Sequence, residues 1–297
     1  MHIGIMGAGA VGCFYGALLA RAGHDVTLVG RPALVAGVAA QGGLRLEMAG
    51  FDGIVPINAA ADPSALAEAD LVLFCVKSAD TVPTGRAMAP YLKPGVPVLT
   101  LQNGVDNAER LSTALGRPAV PVVVYVATGM GGPAHVQHHG RGDLIIGPSA
   151  DSDAIAAALS AAGIPTTVSH GVVAALWDKL IINCAHNPLS AVGQVTYGQM
   201  VAVEGVTDVM TDVVHECVAV AHALGIAVQD DILDRVLALS RSMPNQYAST
   251  AQDLARGKRT EIDYLNGHIV RKGGDLGIAT PVNRTLLALV KLLESKA

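Results

Sequence analysis

Three polar side chains stand four residues apart in an apolar stretch: Lys179, Asn183 and Asn187 of WDKLIINCAHNPLSA. On a helix, residues four apart drift only about 40° around the axis, so the three line one face. An ammonium group there can stabilise a developing oxyanion and give it a proton, and two amides can orient a small polar substrate. A cation and two amides are costly to bury unpaired. The stripe therefore faces a cleft holding a polar ligand, or it faces solvent with Lys179 snorkelling from a core helix. The neighbours Leu180, Ile181, Ile182, Cys184 and Ala185 are apolar, which favours the cleft. Pro188 has no N–H and ends or kinks the helix. The lysine needs a carboxylate, and Glu261 in KRTEIDYLNG is the candidate, although a glutamate behind Thr260 also suits a plain helix start.

A second set of residues points to phosphate chemistry. The chain opens with an apolar strand, 2–6, that runs into Gly7-Ala8-Gly9-Ala10-Val11-Gly12 and then a helix stopped by Gly23. A second strand, DVTLVG, follows. In this strand–turn–helix–strand context Gly7 permits the tight turn, Gly9 lets a pyrophosphate approach the backbone, and Gly12 lets helix and strand pack closely. The helix N-terminus adds unpaired N–H groups and a positive dipole end. A carboxylate for a free ribose 2′-hydroxyl belongs at the end of the second strand, but the residues there are Gly30, Arg31 and Pro32. Arg31 can grip a 2′-phosphate, which points to NADP, or it is simply an exposed loop arginine.

The elements needed to position these groups are legible as an alternation. ADLVLFCVKS, VPVLTLQNGV and AVPVVVYVAT read as strands, and GDLIIGPS as a later strand open to an antiparallel position. Ligands in such sheets bind beyond the carboxyl ends of the strands, where Lys77, Gln102, Asn103 and Gly104 fall. Lys77 equally suits a solvated strand end, and Asn103-Gly104 a plain turn. HVQHH (His135, His138, His139) sits in a loop or edge strand with no Cys or acidic ligand alongside, so no metal site is expected. Past position 170 the pattern turns helical, with helices expected over 177–187, 199–224, 230–243, 249–256, 260–272 and 283–295. The expectation is an α/β protein: a Rossmann-type doubly wound sheet over 1–170, then an all-helical substrate domain over 171–297.

Composition narrows the function classes. With 51% hydrophobic and 15% charged residues the chain is not disordered. A net charge of −5 offers no footprint for nucleic acid. Mean hydropathy is positive, at +0.43, but Gly, Pro or charge interrupts every apolar run before the ~20 residues a membrane helix needs. The four cysteines form no CxxC pair, which suits reduced thiols in a cytoplasmic enzyme. The apolar helix over 199–224 is either domain core or half of a homodimer interface.

Over nearly its full length the sequence resembles the ketopantoate reductases, NADPH-dependent enzymes of pantothenate synthesis. The likeness rests on GAGAVGCFYGALLARAGHDVTLVGR, CVKS, LQNGV, WDKLIINCAHNPLSA and TEIDYLNGHIV…GGDLGIATPVN. It implies that Lys179 is the catalytic acid and that Asn103 touches both cofactor and a 2-oxo acid substrate. Asn183 and Asn187 would meet the hydroxyl side, Ser249 the carboxylate, and Glu261 the nicotinamide ribose while holding Lys179 in place. NADPH contacts would fall on Gly7 to Gly12, Arg31, Lys77 and Ala127. The segment SMPNQYAST around Ser249 departs from the family pattern. Two other readings fit the same residues: a reductase of another branched 2-oxo acid, and a sensor that binds NADP(H) without turnover. A sensor has no need of Lys179.

Overall fold

The computed structural model describes residues 1–296. The chain divides into two compact units, Met1–Val172 and Val173–Ala297. In the first, β1 (His2–Met6), α1 (Ala10–Arg21) and β2 (Asp25–Val29) form the opening crossover, followed by α2 (Pro32–Gln41). The short strands β3 (Leu44–Met48), β4 (Phe51–Val55) and β5 (Asn58–Ala60) come next, then β6 (Leu71–Phe74), α3 (Thr81–Met88), β7 (Val98–Thr100) and α4 (Asn107–Leu115). The long strands β8 (Val120–Gly132) and β9 (His135–Ile146) lead to α5 (Ser152–Ala161) and β10 (Thr166–Val168).

These ten strands make one sheet ordered β4-β3-β9-β8-β7-β6-β1-β2-β5, with β10 also paired to β9. The run β5-β2-β1-β6-β7-β8 is wholly parallel and has the doubly wound order, with its reversal between β1 and β6. Alternate residues of a strand face opposite sides of the sheet, and here both sides are covered. In β6, Leu71 and Leu73 join the core under α1 with Ile3, Ile5 and Phe14, while Val72 and Phe74 join Met88 and Leu111 of α3 and α4. That double burial is why these strands are continuous apolar runs. Beyond β8 the sheet changes character: β9 lies antiparallel to β8, and β3 and β4 form an antiparallel pair at the far edge. HVQHH thus belongs to β9, an interior strand between β8 and β3, and not to a loop or edge. His135 pairs with Glu47, and His138 stacks on Phe14 at 4.4 Å between ring centroids. Among the described residues no cluster of three or more His, Cys, Asp or Glu side chains is placed to hold a metal ion, and no helix is long and apolar enough to cross a membrane.

The second unit is helical: α6 (Val172–Gly193), α7 (Tyr197–Val201), α8 (Val206–Ala223), α9 (Ile232–Ser242), α10 (Ser249–Ala255), α11 (Asn266–Leu276) and α12 (Pro281–Glu294). Three expectations need correction. The helix over 199–224 is two helices, because Gly205 takes a left-handed φ of +80° and starts α8 afresh. The helix expected over 260–272 begins only at Asn266, after a 3-10 turn at Ile262–Tyr264. Thr260 serves that turn, accepting the Ile262 N–H, while its own N–H donates to Glu294. Pro188 does not end α6, which runs through it to Gly193. All four cysteines are free, and burial pushes the Cys13 thiol up to about 12.

Candidate active site

The glycine turn is fixed by the end of β2. Gly7 adopts φ +97°, and the N–H groups of Gly7 and Ala8 both donate to the Val29 carbonyl at 3.0 Å. A Cβ on Gly7 would lie 2.6 Å from the Val76 backbone nitrogen, and one on Gly12 would lie 2.6 Å from the Gly7 carbonyl oxygen. A Cβ on Gly9 would meet nothing within 4 Å. Gly9 is also the N-cap of α1, and no side chain caps the helix. The N-cap thus supplies no side-chain acceptor to the first turn of α1, whose N–H groups at Ala10, Val11 and Gly12 are the donors a pyrophosphate needs. Arg31 is exposed at the N-cap of α2, directly after Gly30, with no carboxylate in the following turn. The residues present fit a dinucleotide.

Lys77 and Asn103 occupy matching places, each three residues beyond its strand, after β6 and β7. A buried polar network joins the two loops. Gln102 donates through Nε2 to the Val76 carbonyl at 2.9 Å and to Thr81 Oγ1 at 2.8 Å. The Asn103 carbonyl accepts from Asn107 Nδ2 at 2.6 Å and from the Ser78 hydroxyl at 3.1 Å. Arg110 donates to the Ser78 carbonyl at 3.0 Å. Gly104 takes φ +99°, so Asn103-Gly104 is a turn, but one whose backbone is held on the side facing Lys77's loop. Ser78, Thr81, Asn107 and Arg110 carry no signal in the sequence; burial of the first three, and the bond from Arg110 to Ser78, distinguish them from ordinary turn and helix-start residues. Ala127 lies in β8, the third strand over from β1, opposite Gly140 and between two register shifts.

In the second unit Lys179, Asn183 and Asn187 all lie on α6. Leu180, Ile181, Cys184 and Ala185 are buried, Lys179 and Asn183 half-buried, and Asn187 only 2% exposed, so the stripe passes from a partly exposed lysine to a buried amide. Asn187 Nδ2 donates to Ser249 Oγ at 3.4 Å. Ser249, itself exposed, begins α10, and the preceding Ala248 N–H is held by Ser190 Oγ at 3.2 Å. Asp178, beside the lysine, is buried and takes Arg235 of α9 at 2.8 Å. Glu261 is buried ahead of the 3-10 turn.

Next to Asn187 in the chain, His186 is fully buried, with Nδ1 2.9 Å from the Ile182 carbonyl and Nε2 3.0 Å from Ser240 Oγ. A carbonyl only accepts, so Nδ1 carries the proton, and with the ring neutral Nε2 accepts from the serine. Burial lowers its pKa, partly offset by the bond to Ile182. The unfolded chain binds this proton at about pH 6.5 and the folded chain only lower, so the histidine's contribution is intact above that pH and is lost as pH falls toward the folded value. Denaturant unfolding between about pH 7 and 5 should show stability declining, and His186→Leu should flatten that decline. Equal slopes for both proteins would remove His186 as its source.

The sequence carries two family matches: the ketopantoate reductase PanE/ApbA model over residues 3–151, and its C-terminal model over 172–294. The chain belongs to the ketopantoate reductase family. It is 35% identical to the 2-dehydropantoate 2-reductase of Halobacterium salinarum, with 99% of each chain covered. A PanE/ApbA family ketopantoate reductase from Ralstonia eutropha superposes with a TM-score of 0.97 at 54% identity, covering 100% of this chain and 99% of that one. D-mandelate dehydrogenase with NADH and anilino(oxo)acetate shares the fold at a TM-score of 0.93 and 24% identity, over 100% and 99% of the two chains. Membership makes the protein an oxidoreductase of the ketopantoate reductase type, which works with a nicotinamide cofactor.

Proposed function

We propose that the protein reduces ketopantoate (2-dehydropantoate) to pantoate with NADPH, in pantothenate biosynthesis. The observation that carries this reading is the half-buried Lys179 set above Asn183 and Asn187 on one apolar helix, in a chain of this family. When bound, the nicotinamide supplies a hydride to the ketone carbon. Lys179 stabilises the negative charge growing on the carbonyl oxygen and gives it the proton on Nζ. Asn183 and Asn187 orient the hydroxyl side, Ser249 takes the carboxylate, and Asn103 contacts both substrate and cofactor. Glu261 holds Lys179 in place beside the nicotinamide ribose. The turn from Gly7 to Gly12 holds the pyrophosphate, with Lys77 and Ala127 as further contacts.

NADPH consumption by the purified protein across a panel of 2-oxo acids, repeated with NADH, tests the reading. Saturable turnover on ketopantoate supports it. A second reading is a different branched 2-oxo acid handled by the same Lys179 chemistry, and turnover on that acid alone would select it. Binding of NADPH with no turnover on any acid would leave the sensor.

For the cofactor, Arg31→Ala should weaken NADPH binding by roughly tenfold or more, the worth of a charge-assisted pair, and leave NADH binding nearly unchanged. Titration of both dinucleotides by fluorescence checks this. Equal losses would mean that Arg31 does not read the 2′-phosphate.

A further inference from the structure

A proline inside a helix removes one N–H and so strips the carbonyl four residues earlier of its ladder bond. In α6 that proline is Pro188 and that carbonyl belongs to Cys184, between the two asparagines of the polar stripe. The helix nevertheless continues to Gly193. We propose that the side chain of Asn266 supplies the hydrogen bond that Pro188 removes, making Asn266 a positioning residue for Asn183 and Asn187.

Asn266 Nδ2 donates to the Cys184 carbonyl at 3.1 Å and to Asn283 Oδ1 at 2.9 Å. Both asparagines are fully buried. The amide orientation is forced from outside. Asn283 Nδ2 is committed to Glu216 Oε2 at 2.7 Å, so Asn283 presents its oxygen, and a backbone carbonyl can only accept. Both neighbours of Asn266 therefore demand donors. Its own Oδ1 is left buried with no hydrogen-bond partner, so the site tolerates an orphan acceptor to keep both donations.

The anchor behind it is rigid. Glu216 of α8 accepts the N–H groups of Val282 and Asn283 at 2.8 and 2.9 Å, fixing the first turn of α12. Asn266 opens α11, five residues after Glu261. A single amide thus ties the proline step of α6 to the segment bearing the proposed partner of Lys179. The catalytic meaning of this tie rests on the proposed function; the hydrogen-bond replacement does not.

A double-variant cycle tests it. Pro188→Ala returns an N–H to position 188, so Cys184 can regain its ladder bond and Asn266 becomes redundant. Asn266→Ala alone should lower kcat/KM for the 2-oxo acid by roughly tenfold or more through misplaced amides, with NADPH affinity unchanged. In the Pro188→Ala background the same change should cost no more than about threefold, and melting temperatures should show the same coupling. Equal losses in both backgrounds, in kcat/KM and in melting temperature, would overturn the proposal. If Asn266→Ala does not fold, folding of the double variant supports the proposal and its failure to fold overturns it. Should the wild type reduce no 2-oxo acid, the proposed function fails, and the melting-temperature cycle alone decides the role of Asn266.

Discussion

Replacing Lys179 by alanine is expected to lower turnover of the 2-oxo acid by about 10²–10⁴-fold, the usual range for a lost general acid. The helix should survive the change, since alanine is the best helix former and Lys179 is only half-buried on α6. Asn183, Asn187 and Ser249 stay in place, so KM should move less than kcat. Lys179→Arg should not restore the rate, because the guanidinium holds its proton too firmly to give it to the carbonyl oxygen. Steady-state kinetics, with NADPH affinity measured alongside, check both variants. Near-normal turnover in the alanine variant would end the assignment and shift attention to the other polar groups on α6.

The second large effect separates two glycines of one motif. Gly7→Ala puts a Cβ 2.6 Å from the Val76 backbone nitrogen, at a φ of +97° that side chains avoid. Left-handed backbone costs roughly 1–2 kcal/mol and overpacking roughly 1–3 kcal/mol. Together these take a large share of the ~5–15 kcal/mol that keeps a domain folded. Gly9→Ala meets no protein atom within 4 Å and has an extended backbone that alanine accepts, so its melting temperature should match the wild type. Its methyl group instead occupies the approach to the α1 N-terminus, and dinucleotide affinity should fall by roughly tenfold, about 1.4 kcal/mol. Thermal melts with and without NADPH read both effects. Should Gly9→Ala bind NADPH as the wild type does, the pyrophosphate does not approach there.

The parts legible in the sequence are those whose signal is local. The glycine turn announces itself because strand, turn and helix follow within one short segment, and the β6 run LVLF is continuous because both faces of the sheet are covered. Leu44-Arg45-Leu46-Glu47-Met48 carries the period-two alternation of a strand, but its signal is short and weak beside the continuous apolar runs. Gly205 sits in a region otherwise helical on both sides, where a single glycine is ambiguous until its φ is known. Pro188 shows the limit most clearly. The sequence correctly marks a missing hydrogen bond, but the amide that replaces it, Asn266, comes 78 residues later and has no local signature. The same holds at the candidate site: Lys179, Asn183 and Asn187 are visible through helical spacing, whereas Ser78, Thr81 and Asn107 matter only because the fold buries them together.

The place of β9 in the sheet has a consequence for assembly. The β1–α1–β2 crossover closes over a short loop and can form early, but β3 reaches the sheet only through β9, with Glu47 paired to Gln137, 90 positions later. Loop-closure entropy must be met before that pairing is rewarded, and a lone two-stranded ribbon such as β3–β4 is marginal in water. On the ribosome, the emerging chain therefore carries a nascent nucleotide-binding half beside an undocked hairpin until β9 is threaded between β8 and β3. The interval between those two events is when strand edges lie open to other chains, and it sets the stage of synthesis at which this protein is most exposed to aggregation.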